Sequence, residues 1–267
     1  MSKPSPYVLD TGNAGAARLH LLQRVVQPGT SRALAAAGLV KGMTAADVGC
    51  GIGTVTRQMA DIVGSSGRVN GVDASEDQIE LAREESRAYE RVGYTVATAY
   101  DTRLPKSAYD FAYARFVLCH LERPVDALAE MLSLLKPGGR LLCEDIEAST
   151  LMSIPPTDPY VTTARKSIEF GQRRGVDMDF GAKMPGVFQQ LDLIDIQITV
   201  WQPAFFKGEG KRFYEQTLME SMPFALAYGV TSREELQARI EAMRRVNDDE
   251  SVLVVLPKIW QVWGKKA

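Results

Sequence analysis

The segment ADVGCGIGTVT, residues 46–56, places Gly49, Gly51 and Gly53 within five positions, directly after a short apolar run. Glycine loses more backbone freedom on folding than any other residue. Such a cluster belongs where the chain must bend tightly or where another group must approach the backbone closely. The preceding TAADVGC reads as a strand entering the loop. The following TVTRQMADIVG sets Val55, Met59 and Ile62 on one helical face, with Gly64 suited to the helix end.

The strand-helix alternation continues. RVNGVD is a strand ending at Asp73, and SEDQIELAREESRAYER is a helix whose Ser75 and Gln78 have capping-box spacing. YTVATAYD is a third strand ending near Asp101, and YDFAYARF a fourth. ERPVDALAEMLSLLKPGG is a helix with proline at its start and Pro-Gly-Gly at its stop, and RLLCEDI is a fifth strand. Five alternations before residue 147 predict an α/β doubly wound parallel sheet. Ahead of them, AGAARLHLLQRVVQ and SRALAAAGLV read as two helices. Beyond them, residues 149–180 form an inserted segment, MPGVFQQLD a helix and LIDIQITVW a strand. Residues 207–248 are mostly helical in pattern, and LVVLPKIWQVWG is a final strand.

A chain of 267 residues with 45% apolar and 24% charged residues fits one large soluble domain. The net charge of −2 gives no general attraction to nucleic acid or anionic lipid. The start, MSKPSPYVLD, has no secretion-signal stretch, and the longest apolar runs are too short to cross a bilayer. Cys50, Cys119 and Cys143 read as free thiols in a reducing, cytoplasmic compartment. With two histidines, His20 and His120, and no CxxC, no metal site is expected.

In open parallel sheets ligands sit beyond the carboxyl ends of the strands. Three features converge there: the glycine loop, Asp73 with acceptor oxygens suited to ribose hydroxyls, and Asp101 suited to an exocyclic amine. A dinucleotide fingerprint wants G-x-G-x-x-G. Counted from Gly49 the third glycine falls one place early, and counted from Gly51 the last position is Thr56. A P-loop lysine is absent as well, so the loop suits a ligand without a diphosphate.

ADVGCGIGT resembles the first motif of the class I S-adenosylmethionine-dependent methyltransferases, GVDASEDQIELAR their second, and residues 109–145 their stretch through strands four and five. YVLDTGNAGAARLHLLQ and WQVWG resemble a bacterial small-molecule branch of that family. The resemblance implies a seven-stranded, mostly parallel Rossmann-like sheet with a helical cap, its last strand antiparallel beside strand five. It implies one methyltransferase domain, residues 1–267. Residues 1–40 would lie over the cofactor, 41–148 form the cofactor-binding core, and 149–180 and 203–248 form the cap. The implied cofactor is S-adenosylmethionine. Gly49, Gly51 and Gly53 would lie under its methionine part, Asp73 on the ribose, Ala74 and Gln78 beside the adenine, and Asp101 with Thr102 at the adenine amine. Arg115 would face the methionine amino group, with Tyr7 and Gln23 in the segment folding over the cofactor. TAYDTR departs from the Gly-Asp-Ala of many relatives, adding bulk at Thr102.

His120 has two readings: a catalytic general base or orienting group near the sulfonium, or a helix-start residue bonded to backbone. His20 reads as a packing residue. Glu144 and Asp145 end strand five on opposite faces, so one of them can reach substrate but they are no couple. Cys119 beside His120 is read as no nucleophile. Phe213, Tyr214 and their neighbours in 205–228 are either core or a cover over an apolar substrate. Arg165, Lys166, Arg173 and Arg174 read as a solvated helix face. The function implied is methyl transfer to a small, largely apolar metabolite, without nucleic-acid or membrane partners. The alternatives are a methyltransferase acting on RNA or protein, or a non-catalytic cofactor-binding subunit. The acceptor atom stays open, as does assembly, a homodimer included.

Overall fold

The computed structural model describes residues 13–267; Tyr7 lies outside the described residues. The first helix, α1 (Asn13–Ala36), runs unbroken through Pro28 where the sequence pattern predicts two helices. The reason is tertiary. Gly29 packs flat against Trp201, and a Cβ there would sit 2.0 Å from the indole Cε3. Arg32 stacks over the same ring at 5.5 Å. Pro-Gly is here a contact point for a ring rather than a helix stop. Gly29→Ala is therefore expected to destabilise the protein by about 1–3 kcal/mol through overpacking. At an uncrowded helical site the same change would stabilise it by about 1 kcal/mol, so the sign of the shift in a urea melt decides between the two readings.

The chain continues as β1 (Thr44–Val48), α2 (Thr54–Val63), β2 (Arg68–Asp73), α3 (Glu76–Glu85), β3 (Val92–Val96), β4 (Tyr109–Arg115), α4 (Pro124–Leu134) and β5 (Leu135–Glu147). Then come β6 (Met152–Ile154), α5 (Asp158–Arg174), α6 (Phe180–Phe188), β7 (Leu193–Trp201), β8 (Ala204–Phe205), α7 (Phe213–Ala227), α8 (Arg233–Asp248), β9 (Leu253–Val255) and β10 (Lys258–Lys266). The seven-stranded sheet has the order β3-β2-β1-β4-β5-β10-β7. β1 pairs in parallel with both β2 and β4, and β10 lies antiparallel between β5 and β7. The antiparallel last strand beside strand five is as the sequence predicts. The strand order reverses between β1 and β4, which opens a crevice at their carboxyl ends.

Alternation along β4 feeds both faces of the sheet. Ala112 and Ala114 pack with Leu128 and Met131 of α4 and Phe188 of α6, while Phe111 and Tyr113 pack with Leu34 of α1 and Met59 of α2. A third cluster, including Leu21, Tyr160, Phe213, Tyr214 and Met243, joins α1, α5, α7 and α8 above the strand ends.

Three elements differ from the sequence pattern. The final apolar run splits at Leu256-Pro257: β9 joins a separate sheet ordered β6-β9-β8, and only β10 enters the main sheet. The helix α3 ends at Glu85 instead of running to residue 91, because Ser86 turns in to meet the Tyr94 hydroxyl at 2.8 Å. The third strand ends at Val96, where it pairs with Asp73. No helix among the described residues is long and apolar enough to cross a membrane. Cys50, Cys119 and Cys143 are free and buried.

Candidate active site

A cavity of about 700 Å³ lies over the β1–β4 crevice, with the stretch Gly49–Ile52 in its lining. This is within the range of about 300–1,000 Å³ usual for small-molecule sites. Asp47, Asp73 and Arg115 line it from the sheet; Arg18, Phe213 and Tyr214 line it from α1 and α7.

The three glycines of the loop all take left-handed φ, +74° at Gly49, +54° at Gly51 and +75° at Gly53. Side chains would be strained there. Their surroundings differ. A Cβ at Gly49 would lie 2.2 Å from Val117 Cγ2, and one at Gly53 2.2 Å from the Tyr94 hydroxyl. Gly53 caps α2 behind the cavity, so its smallness serves packing.

Asp73 pins the loop. Its Oδ2 accepts from the Gly51 N–H at 2.9 Å, and its Oδ1 accepts from the Ser75 N–H at 2.9 Å. The Ala74 N–H also acts on this carboxylate, whose two oxygens together offer about four acceptor sites. Burial raises its pKa, and the N–H groups of Ser75 and Gly51 pull the other way. Ala74 also lines the cavity. Gln78 is buried behind the loop; its Oε1 has no partner among the described residues and lies 3.1 Å from where a Gly51 Cβ would be.

Arg115 donates to Gln23 Oε1 at 2.8 Å and to Thr30 Oγ1 at 3.1 Å. Gln23 in turn donates to Gln58 Oε1 at 3.0 Å. Gln23 thus orients Arg115 and is not itself part of the cavity lining. Asp101 is exposed, accepts from the Arg103 N–H at 3.4 Å, and lies outside the main cavity but in an adjoining hollow that shares Ala74, Ala97 and Thr98 with it. Thr102 is buried and donates to Glu130 Oε1 at 2.6 Å, which ties it to α4. The cause is the early end of β3, after which Thr98 and Asp101 close a turn of their own.

His120 ends a short 3₁₀ turn, Leu118–His120, and lines the cavity. Its backbone N–H donates to Val117 O at 3.0 Å, and its Nδ1 is buried with no partner among the described residues. Burial pushes its pKa down to about 4, and the guanidinium groups of Arg174 and Arg18 add to this. The ring is therefore neutral at pH 7.

A pH experiment follows. Between the ordinary 6.5 and the folded value of about 4, the unfolded chain binds the proton that folded His120 refuses, so His120 removes stability as pH falls through that window. Asp47 and Asp145, both raised by burial from 3.8 to about 6, act oppositely and remove stability as pH rises through theirs. The difference between wild type and His120→Gln isolates the histidine. Its penalty grows by up to about 1.4 kcal/mol per pH unit, so the variant should gain on the wild type between about pH 7.5 and about pH 4.5. A gap in melting temperature that does not change with pH would contradict the buried neutral ring.

Several side chains lie elsewhere than the sequence pattern suggests. Glu144 accepts from Gln261 Nε2 at 2.6 Å and from the Tyr113 hydroxyl, and Asp145 accepts from the Cys119 N–H at 3.0 Å. Neither lines the cavity; both are bound within the sheet and its loops. The Cys119 thiol is raised well above its ordinary value by burial, so it stays protonated beside His120. His20 is no packing residue: its Nε2 lies 3.0 Å from Glu85 Oε1 at the surface. Lys166 and Arg173 donate to the carbonyls of Val230, Tyr228 and Gly229, so they clamp α5 to the α7–α8 turn instead of forming a solvated face. Phe213 and Tyr214, edge to face at 5.6 Å, are both core and cavity wall.

Two further residues line the cavity, Asp47 and Arg18. Asp47 sits just ahead of the glycines and accepts from Thr56 Oγ1 at 2.6 Å. Arg18 is 4% exposed and donates from Nε to Glu220 at 2.8 Å. An acidic residue at the end of β1 is visible as a pattern, but a single arginine on an amphipathic helix gives no sign of burial.

Comparison with known proteins agrees with this geometry. Residues 46–143 match the methyltransferase domain family. The chain is 27% identical over 173 residues to a demethylmenaquinone methyltransferase of Staphylococcus aureus, covering 60% of this chain and 72% of that protein. A relative of the same name from Bacillus licheniformis is 31% identical, over 39% of this chain and 44% of that protein. Among solved structures, an S-adenosylmethionine-dependent methyltransferase from Aquifex aeolicus superposes with a TM-score of 0.53 at 19% identity, covering 71% of this chain and 90% of that one. With its fold, its loop and these likenesses together, residues 46–143 are a methyltransferase domain set in a seven-stranded sheet of the Rossmann-like methyltransferase fold.

Proposed function

We propose that the chain methylates a small, largely apolar acceptor bound in the same cavity as the cofactor, between the glycine loop and α7. The observation that carries this reading is that one cavity has two unlike walls. The Gly49–Ile52 backbone and the carboxylate of Asp73 form one; Phe213, Tyr214 and Leu218 form the other.

The residues present fit the cofactor. Gly51 offers backbone without a side chain, Asp73 offers carboxylate oxygens to the ribose hydroxyls, and the volume suffices for a nucleoside with a second small molecule. Ala74 and residues 97–100 would flank the base, Asp73 the ribose, and Arg115 with the loop the amino-acid end. Bound there, S-adenosylmethionine supplies a methyl group already activated by its sulfonium. The chain's own contribution is alignment and exclusion of water. Positioning of two reactants can lower a barrier by about 7–11 kcal/mol, and aromatic faces favour a nearby cation. His120, neutral at pH 7, can accept a hydrogen bond from the acceptor.

The name of the Staphylococcus aureus relative supports an apolar acceptor, and the net charge of −2 disfavours RNA. The three buried free thiols support a cytoplasmic setting. The test is transfer of label from methyl-tritiated S-adenosylmethionine into a cell extract. Label is expected in organic-soluble small molecules. Label in the protein or RNA fraction would replace this reading with a macromolecular one, and binding without any transfer would favour a non-catalytic subunit.

A further inference from the structure

The two edges of the seven-stranded sheet differ. At one, β3 is five residues long and half-buried, and the carbonyl of its Tyr94 accepts from Arg83 Nη2 at 3.1 Å. At the other, β7 pairs with β10 alone. Asp195 there has a left-handed φ of +54°, and the register against β10 slips between Trp263 and Lys265. A bulge bends a strand and interrupts its edge, so the regular edge begins after it. Residues 196–201 then run for six positions with no charge, proline or glycine. Among the described residues, no group outside β10 bonds to their backbone. Ile198 and Val200 are 47% and 46% exposed. Proteins usually protect such an edge with a lysine, a proline or a covering loop.

The strand is complementary to itself. A two-fold axis through Ile198, perpendicular to the sheet, lays two copies of β7 antiparallel and keeps each face on its own side. Ile198 then meets its own counterpart, Ile196 meets Val200, and Gln197 meets Thr199, so no like charges are opposed. The ends match as well. Asp195 of one copy arrives at Trp201 of the other, where Arg32 is exposed and stacked over the indole ring at 5.5 Å. Neither Asp195 nor Arg32 has an ion-pair partner among the described residues. The acidic end of each strand thus faces the basic end of the other.

We propose that a second copy of this chain docks on β7 and joins the two sheets into one across a two-fold axis. The new bonds run between the outward backbone N–H and carbonyl groups of residues 196–201, and the exposed Ile198 and Val200 side chains cover their counterparts. β5 and β10 separate β7 from the β1–β4 crevice, so the cavity stays open in the pair. The pairing is independent of what the cavity methylates.

Sedimentation equilibrium of the full chain tests the proposal, with a monomer–dimer equilibrium at micromolar concentration as the expected result. Ile198→Lys sets a charge against its own counterpart at the axis, and it should raise the dissociation constant at least about a hundredfold. Val200→Lys should act in the same direction from the flank. Both side chains are exposed, so each variant should still fold and keep its affinity for S-adenosylhomocysteine within about threefold. Arg32→Glu should weaken the dimer by about three- to tenfold, and adding Asp195→Asn should recover part of that loss. This pair of variants decides the matter if the lysine variants fail to fold. A chain that stays monomeric, one that builds open-ended larger assemblies, or a dimer that survives the substitutions at Ile198, Val200 and Arg32 would overturn the proposal.

Discussion

Asp73→Ala is expected to weaken S-adenosylmethionine binding by about 10²- to 10⁴-fold while the protein still folds. Two hydrogen bonds to a carboxylate contribute about 1.5–3 kcal/mol each, and every 1.4 kcal/mol is a factor of ten. The loss has two parts. The ribose would lose its acceptor, and the loop would lose its pin, because the same carboxylate holds the Gly51 N–H at 2.9 Å. Asp101→Ala is the matched control. That residue is exposed and outside the main cavity, so its removal should change the affinity by less than about threefold. Calorimetric titration of both variants checks the assignment. Equal losses from both would restore the carboxylate of strand three to the site.

The second large effect belongs to the α7 wall. Phe213 is 8% and Tyr214 9% exposed, and truncating a buried aromatic typically costs about 3–5 kcal/mol of stability. Phe213→Ala and Tyr214→Ala should therefore lower the melting temperature and also cut kcat/KM for the acceptor by about ten- to a hundredfold. The dissociation constant of S-adenosylmethionine should move by less than about threefold. Tyr214→Phe keeps the ring and its packing, so it should spare stability and separate the wall's shape from its hydroxyl. If the alanine variants lost cofactor affinity as severely as acceptor turnover, α7 would be scaffold for the whole cavity and not the acceptor wall.

What could be read from the sequence was what local pattern determines. RVNGVD and LIDIQITVW coincide with β2 and β7 end to end, because turns flank both and β-branched residues alternate through the second, at Ile194, Ile196, Ile198 and Val200. The glycine loop announced the crevice, and the alternation of elements announced the sheet. What escaped was decided between distant segments. Nothing near Pro28-Gly29 signals that Trp201 will fill the gap and carry α1 across it. The end of β3 is set by its partner Asp73, and the turn that follows places Asp101 in a hollow beside the main cavity, the two sharing Ala74, Ala97 and Thr98. Arg18 and Phe213 lie at opposite ends of the chain, and only the closing of α7 over α1 makes them neighbours of one space. His20, placed among leucines in sequence, faces outward to Glu85 because the buried stripe of α1 passes through Leu21 and Val25.

That cofactor and acceptor share one cavity, divided between the glycine loop and α7, can be checked by a crystal structure of the protein with S-adenosylhomocysteine bound. The expected result is a ligand with its ribose on Asp73, its amino-acid end over the Gly49–Ile52 backbone near Arg115, and its sulfur open toward Phe213 and Tyr214. A ligand bound elsewhere, or one whose sulfur faces the sheet with α7 sealed off from it, would contradict the claim.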